Sequence, residues 1–545
     1  VVADGVSAVV NQDVSVALAN TGTVPVQTSS LSLDGNSTTA LARSNVMTNT
    51  LIVDGGNIAA GAGTDASFDE LTVTVDAAFV LGSEQSNGAA VSATTSQSRV
   101  ELDLSNTDGD VINGATVSLA NNLSSATALA NNVTNSVDVG ANSANVDGSA
   151  ALLNSQANGG VVTATGGSAV SVAFDATGGL DPNGIVSSSV AVSGNASASN
   201  AVGNQAQNTL TAAGTNIASG GVALASVSSL TDGEVTADAG NLLVSDQVNS
   251  AAISSINNAN SVSIGGSVVE GTDTINPLVG AVASGSTLSL TDNTTEARAS
   301  ANIVLNSSIS LGGASTTSAD ATGMIANFQN NDATGAVTAQ ASTNTAITLN
   351  GADTVDAMNS GSAMVENNTT LALARGNVVE NVLTADGTNV TAGGGSATLS
   401  AIASPGDGVL NASFGVFNEQ VQAAAINASS TNATYAINAT SGSGDALNSG
   451  SAVVAGNSVN ATAFGNIATN RVTLASLNGV GNDASAAVFN GQLNSGSVSS
   501  SVVGATIGTF GTGGFDTASV GVSGNTISAS AVGNFANSTI TRATR

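Results

Sequence analysis

Apolar and polar residues alternate singly along much of this chain. In residues 526–541, Ile527, Ala529 and Ala531 share one parity; after Gly533 and Asn534 the parity slips, and Ala536, Ser538 and Ile540 share the other. A period of two marks a strand with one buried face. A Gly-Asn pair tolerates the positive φ of a tight turn or bulge. The segment is therefore predicted as strand, corner, strand. A helix is a poor alternative, because Ser, Thr, Asn, Val and Gly dominate and apolar residues do not recur at spacings of three and four.

The same pattern recurs. One asparagine is followed nine residues later by a second and four later by a third: Asn36, Asn45, Asn49; Asn122, Asn131, Asn135; Asn195, Asn204, Asn208; Asn368, Asn377, Asn381; Asn457, Asn466, Asn470. A further copy, Asn293, Asn302, Asn306, drifts by one residue at its end, and the last reads Asn525, Asn534, Ser538. Six residues after the first asparagine stands an alanine (Ala42, Ala128, Ala201, Ala299, Ala374, Ala463, Ala531), and two past the third polar position an aliphatic such as Leu51, Leu210 or Ile540. From Asn36 to Asn525 the copies recur on average about every 82 residues, with weaker copies near Gln85, Asn154, Asn249, Asn331, Asn418 and Asn490. The half-period is near 41, and the uneven glycine-rich insertions are read as loops. No proline-rich linker divides the chain, so residues 1–545 read as a single repeat array whose strong motifs start near 36, 122, 195, 293, 368, 457 and 525.

The predicted fold is all-β: an elongated β-solenoid of stacked strand-turn-strand repeats. If each half-period supplies one rung, about fourteen rungs stack to roughly 70 Å. Stacked rungs bring identical amides about 4.8 Å apart, so each asparagine can donate to the next. A lone buried Asn is costly, whereas a column of them is not. The alternative, in which asparagine serves turns alone and water takes its spare bonds, stays open on sequence. The alanine column is expected where opposing faces touch.

Composition sharpens this picture. The apolar share is 41%, mostly Ala and Val, and aromatics are 2%, which suits a thin interior rather than a wide one. Cys, His, Trp and Lys are absent, and all seven basic residues are Arg. Zinc sites of the usual kind, Cys or His nucleophiles, Ser-His-Asp triads, Schiff bases and the P-loop lysine are thereby excluded. A net charge of −30 leaves no electrostatic footprint for nucleic acid. No apolar run is long enough for a transmembrane helix. The chain opens at Val1, read as a removed signal peptide or a fragment.

Candidate chemistry is sparse. Arg43 and Arg375 share one register, in ALARSN and ALARGN; an outward strand charge accounts for them better than a partner contact. Asp108, Asp110 and Asp181 lie in loops that invite calcium, but no full oxygen-ligand pattern accompanies them, and turn-forming Asp fits better. No cofactor is expected, calcium being the one cation the sequence raises. Threonine pairs (Thr72/Thr74, Thr163/Thr165, Thr209/Thr211) suggest an ice-binding face but are not in register. Carboxylate catalysis on sugars lacks an aromatic platform. A non-enzymatic protein is expected.

The segment Gly203-Asn204-Gln205-Ala206-Gln207-Asn208 resembles the second half of the curli-type repeat, and the chain more loosely resembles Ala/Gly/Asn/Ser-rich proteins of bacterial surface fibres and holdfast anchors. Curli repeats are about half as long and richer in Gln and Tyr. The resemblance implies an extracellular β-solenoid that self-associates. The expected role is a structural subunit of an extracellular filament or adhesive surface matrix, joined end to end by strand addition between rungs near Val9–Leu18 and Thr526–Thr541. Its partners are other copies of itself, with surface polysaccharide or an outer-membrane anchor as further candidates. The competing class is a fibre shaft or adhesin module that recognises a receptor or glycan.

Overall fold

The structure is a computed structural model that describes residues 5–21, 24–59, 64–68, 73–107, 110–140, 143–177, 183–218, 223–229, 233–269, 280–392, 397–401 and 408–544. It is an all-β solenoid of parallel sheets, and no helix occurs among the described residues.

One coil shows the plan. The strand Thr116–Ala120 runs into Leu123–Val139, then Asn145–Asp147, Ala150–Asn158, Val162–Thr177 and Ile185–Val186, and the next coil begins with Ser189–Ser193 and Ala196–Ala212. Each strand pairs in parallel with its equivalent one coil on, and Asn131, for instance, lies between Asn45 and Asn204. Four main walls run along the axis. Seven long strands from Ser37–Val53 to Thr526–Thr544 form the asparagine sheet; seven short strands from Ser30–Asp34 to Ser519–Ser523 form the short sheet. Six nine-residue strands from Phe79–Asn87 to Ala486–Asn494 form the glutamine sheet. The facing sheet holds long strands such as Val91–Asn106 and Val162–Thr177.

Each period of about 82 residues is thus one coil, not two. The two halves found in the sequence lie side by side on one level: a short strand and a long strand (Ser189–Ser193, Ala196–Ala212), then a second such pair (Asn241–Asn249, Ile253–Val269). The stack has seven levels rather than fourteen, about 29 Å from first to last strand at a spacing of ~4.8 Å.

Corners obey backbone chemistry. The residue before the first asparagine is left-handed in every coil: Gly35, Asn121, Gly194, Asp292, Asn367, Gly456 and Gly524, with φ between 56 and 70°. Only Gly, Asn and Asp appear there, the residue types that enter this region at least cost. The Gly203-Asn204 step, expected to be a positive-φ corner, is not among the positive-φ residues. It is a skip within one continuous strand: Leu129 pairs with Val202 and Asn131 with Asn204, while Ala130 and Gly203 are passed over. That skip reverses the parity of the buried face.

Packing divides the interior by thickness. Where the first halves of the asparagine and facing sheets meet, the core is an alanine seam that includes Ala42, Ala128, Ala299, Ala374 and Ala463 with Ala93 and Ala164. Elsewhere the interior is wide and filled by large groups, with Leu102, Phe174, Ile185 and Tyr435 in one cluster and Leu152, Leu210 and Phe414 in another. The small-residue composition reports the seam, not the whole core.

The insertions read as loops are in part hairpins. Thr64–Phe68 with Val73–Ala77, Ala223–Ser229 with Gly233–Ala239, and Ala397–Ala401 with Gly408–Ala412 join into one six-stranded antiparallel sheet. It covers the outer face of the glutamine sheet through a cluster that includes Val75, Ala237, Leu242, Met324, Leu410 and Phe417.

Candidate functional site: amide columns and open sheet edges

The asparagines found by register form columns along the axis. In the first column each Oδ1 from Asn122 onward receives two bonds from the preceding coil. Asn36 donates to Asn122 Oδ1 from its backbone N–H (3.0 Å) and its Nδ2 (2.8 Å), and the pattern continues through Asn195, Asn293, Asn368 and Asn457 to Asn525. The second Nδ2 hydrogen reaches a main-chain carbonyl of the short sheet, as from Asn195 to Leu119 at 3.1 Å. In the second column Asn45, Asn131, Asn204, Asn302, Asn377 and Asn466 each donate to the next at 2.7–2.9 Å, ending on Asn534. Their other hydrogen bonds the glutamine sheet, Asn131 to the Ala157 carbonyl at 2.8 Å for example. Burial without compensation is thereby avoided, since in the inner coils both amide protons of these two columns have acceptors.

The third column is interrupted. Asn49 donates to Asn135, Asn135 to Asn208, and Asn381 to Asn470. Between Asn208 and Asn381 the drifted copy places Ser307 in line and pairs Asn306 with Gln207. Ser307 Oγ and Asn381 Oδ1 are left buried with no hydrogen-bond partner.

Sequence reading missed a further column, one level shorter. Gln85, Gln156, Gln247, Gln329, Gln420 and Gln492 form a ladder at 2.6–2.8 Å, each later residue donating to the earlier one. Each Nε2 also bonds a carbonyl of the asparagine sheet, as Gln156 does with Gln205 at 2.9 Å. Beside it Asn87, Asn158, Asn249 and Asn331 form another column. The starting residues assigned to the weak copies fall into three different columns: Gln85 in the first of these, Asn249 and Asn331 in the second, and Asn154, Asn418 and Asn490 in a third. The signal available was the motif Ser/Asn-x-Gln-x-Asn/Gln, from Ser83-Glu84-Gln85-Ser86-Asn87 to Asn490-Gly491-Gln492-Leu493-Asn494.

Other candidates scatter. Arg43 is exposed and Arg375 half-buried, four coils apart in one register. Arg375 Nε donates to Ser300 Oγ at 3.1 Å, and burial together with neighbouring Arg298 lowers its pKa. Asp110 sits in a turn, accepting from Asn113 at its carboxylate (3.0 Å) and from Asn106 at its carbonyl (2.8 Å). Asp108, Asp181 and Thr72 lie outside the described residues. Thr163 and Thr165 face outward between Ser92/Thr94 and Ser254/Ile256, and Thr209 and Thr211 between Ser136/Asp138 and Ser308/Ser310. Among the described residues no group of three or more acidic side chains is placed to hold a metal ion, and no helix is long and apolar enough to cross a membrane.

Among the described residues the first and last coils each leave one edge unpaired. The segments expected to meet end to end lie in different sheets: Val6–Val9 and Asp13–Asn20 belong to the facing sheet and Thr526–Thr544 to the asparagine sheet. The strand that matches Thr526–Thr544 is Ser37–Val53. On the last coil, inward positions that are fully buried one coil earlier stand half-exposed: Val522 at 52%, Ile527 at 53% and Ile540 at 50%. No protein-family model, curated protein or solved structure matches this chain.

Proposed function

We propose that the chain is a structural, non-enzymatic subunit of an extracellular self-assembling filament or adhesive surface matrix, in which coils of neighbouring copies stack end to end. The observation that carries this reading is the register of the coils: the apolar columns through Val454 and Val522, Val459 and Ile527, and Val472 and Ile540 repeat from level to level, so whichever coil stands outermost presents a matching apolar edge. Such an edge is a template for a further parallel strand. The seat offered is a whole coil of several walls, not one strand. A charge of −30 keeps the sides of neighbouring copies apart while their ends join, and added salt or divalent cations screen that repulsion and promote bundling. Surface export, and anchorage to polysaccharide or an outer membrane, belong to the same proposal. Sedimentation velocity and electron microscopy over a concentration series test it. Species that lengthen with concentration are expected; a monomer of constant size throughout would overturn it.

A further inference from the structure

Resting on that reading, we propose that the two axial faces recognise each other and not themselves, so that a second copy of this chain adds head to tail only, with direction set by the amide columns. Every asparagine column of the asparagine sheet runs one way: coil by coil, the donor belongs to the earlier coil and the acceptor to the later one. The face at Ser37–Val53 therefore ends in acceptors. Asn36, Asn45 and Asn49 use their Nδ2 groups on the coil above, while their Oδ1 atoms accept from nothing among the described residues. The face at Thr526–Thr544 ends in donors. Asn525 spends one amide hydrogen on the Val454 carbonyl, and Asn534 one on the Gln492 carbonyl, leaving a second on each. Ser538 Oγ accepts from Asn470 and keeps its own proton to give.

Donors and acceptors stand in the same three columns, because each coil repeats the last in register. A copy seated head to tail sets Asn36 over Asn525, Asn45 over Asn534 and Asn49 over Ser538, as inside the body. The same seating puts Leu33 over Val522 and Leu51 over Ile540, apolar on apolar. Two like faces instead bring three carbonyl oxygens against three, or donors against donors, and desolvate them unpaired, which is costly. The glutamine sheet has one level fewer than its neighbours, so this contact is carried by the asparagine, short and facing sheets. The polarity belongs to the coil type and holds for whichever coil stands outermost.

Two edge variants test the rule on the whole chain. Asn36 accepts at its carbonyl from Leu123, and Thr526 donates to Asn457. By the alternation of parallel strands, Thr39 and Ala529 then turn their N–H groups to the open edges. Proline there removes the edge donor and is tolerated by the coil itself. Thr39→Pro blocks one face and Ala529→Pro the other. Each alone is expected to stay monomeric, and an equimolar mixture to form dimers that do not lengthen. A variant that dimerises by itself shows like faces meeting; it overturns the polarity while self-association stands. Wild-type chain that never associates removes the filament reading itself. Circular dichroism checks the fold of each variant, and if a proline unfolds its coil, Asn49→Leu and Ser538→Leu repeat the mixing test through the third column.

Discussion

The coil body and the hairpin sheet are both β-structure, yet they count strands differently. A coil lays down one strand per wall per turn, parallel and in register, so position meets like position and identical amides can form a column. A hairpin lays down two antiparallel strands at once, so residue i is paired along the backbone with a different residue j: Ala225 with Ala237, but Ser228 with Glu234. No like-on-like column can run through it. Two strands also fill the height of two coils. Successive first-column asparagines lie 86, 73, 98, 75, 89 and 68 residues apart. The long intervals are those that hold a hairpin, and the alternation is the sequence trace of one hairpin serving two levels. Polar ladders therefore run through the body, while the cover is held by apolar packing against the glutamine sheet, whose outer face carries the stacked pair Phe417 and Phe489 at 4.6 Å.

Breaking a column should have the largest effect. Asn204→Leu leaves Asn131 without its amide acceptor and Asn302 Oδ1 without its donor, both in the buried interior, and takes a second bond from the Val248 carbonyl. At 1–3 kcal/mol for each stranded group, a loss of about 4 kcal/mol is expected from guanidinium unfolding. Asn466→Leu, nearer the end of its column, is expected to cost less. Two variants indistinguishable from wild type would show that these amides do not hold the body.

That prediction uses residues legible in the sequence, and the reason they were legible is physical. Asn45 and Asn49 sit on the same strand as Ala42 and Leu51, so their spacing is fixed by one continuous element and survives the insertions between strands. The glutamine column was not found because it is spaced from the asparagines by corners of varying length. Gln85, Gln156 and Gln247 recur at intervals of 71 and 91, and a search at fixed offset loses them. The half-period was visible, but that its halves lie side by side depends on which corners turn left-handed. Thr28 and Ser187 do so at the second corner column without belonging to the residue types that advertise it.

The contact between the hairpin cover and the glutamine sheet should respond to pH. Asp246 is buried on the outer face of the glutamine sheet beside Val244 and Phe328, its Oδ2 without a partner. Burial pushes its pKa up to about 7, and that of Glu419 in the same column likewise. Both folded values lie above the ordinary carboxylate range. Their stabilising contribution is thus full below about pH 4 and is lost as pH rises through 7. Asp238 on the overlying hairpin is shifted upward by burial too, adding to the same trend. Proteolysis of the hairpins is expected to be slower at pH 5 than at pH 8, and Asp246→Asn to flatten much of that difference. Equal cleavage at both pH values in the wild type would remove the proposed link.

A gain of stability should follow from mending the interrupted column. The copy at Asn293 carries one residue more than its neighbours between Asn302 and Ile309, and the chain absorbs it by keeping Ile309 inward at the expense of Asn306. Deleting Ser307 aligns Asn306 with Asn208 and Asn381 while Ile309 stays opposite Leu210. Two buried unpartnered groups disappear, and a rise of about 1–2 kcal/mol is expected in denaturant unfolding. A loss would mean that the extra residue relieves strain in that strand.

The smallest effect separates backbone demand from packing at a coil corner. At Gly194 and Gly456 an added Cβ would meet Asn121 Oδ1 and Asn367 Oδ1 at 2.8 and 2.4 Å, so substitution there mixes clash with conformation. Gly524 has the same left-handed φ, +65°, and its nearest heavy atom to such a Cβ is 3.7 Å away. Gly524→Ala therefore registers conformation alone, about 1 kcal/mol for an L-residue held left-handed. Gly524→Asn should cost less, since asparagine already occupies the corner at Asn121 and Asn367. Hydrogen exchange of the strand Thr526–Thr544 reads effects of this size. Equal protection in the two variants would mean that the corner tolerates any residue. The restriction to Gly, Asn and Asp in all seven coils would then need a cause other than φ.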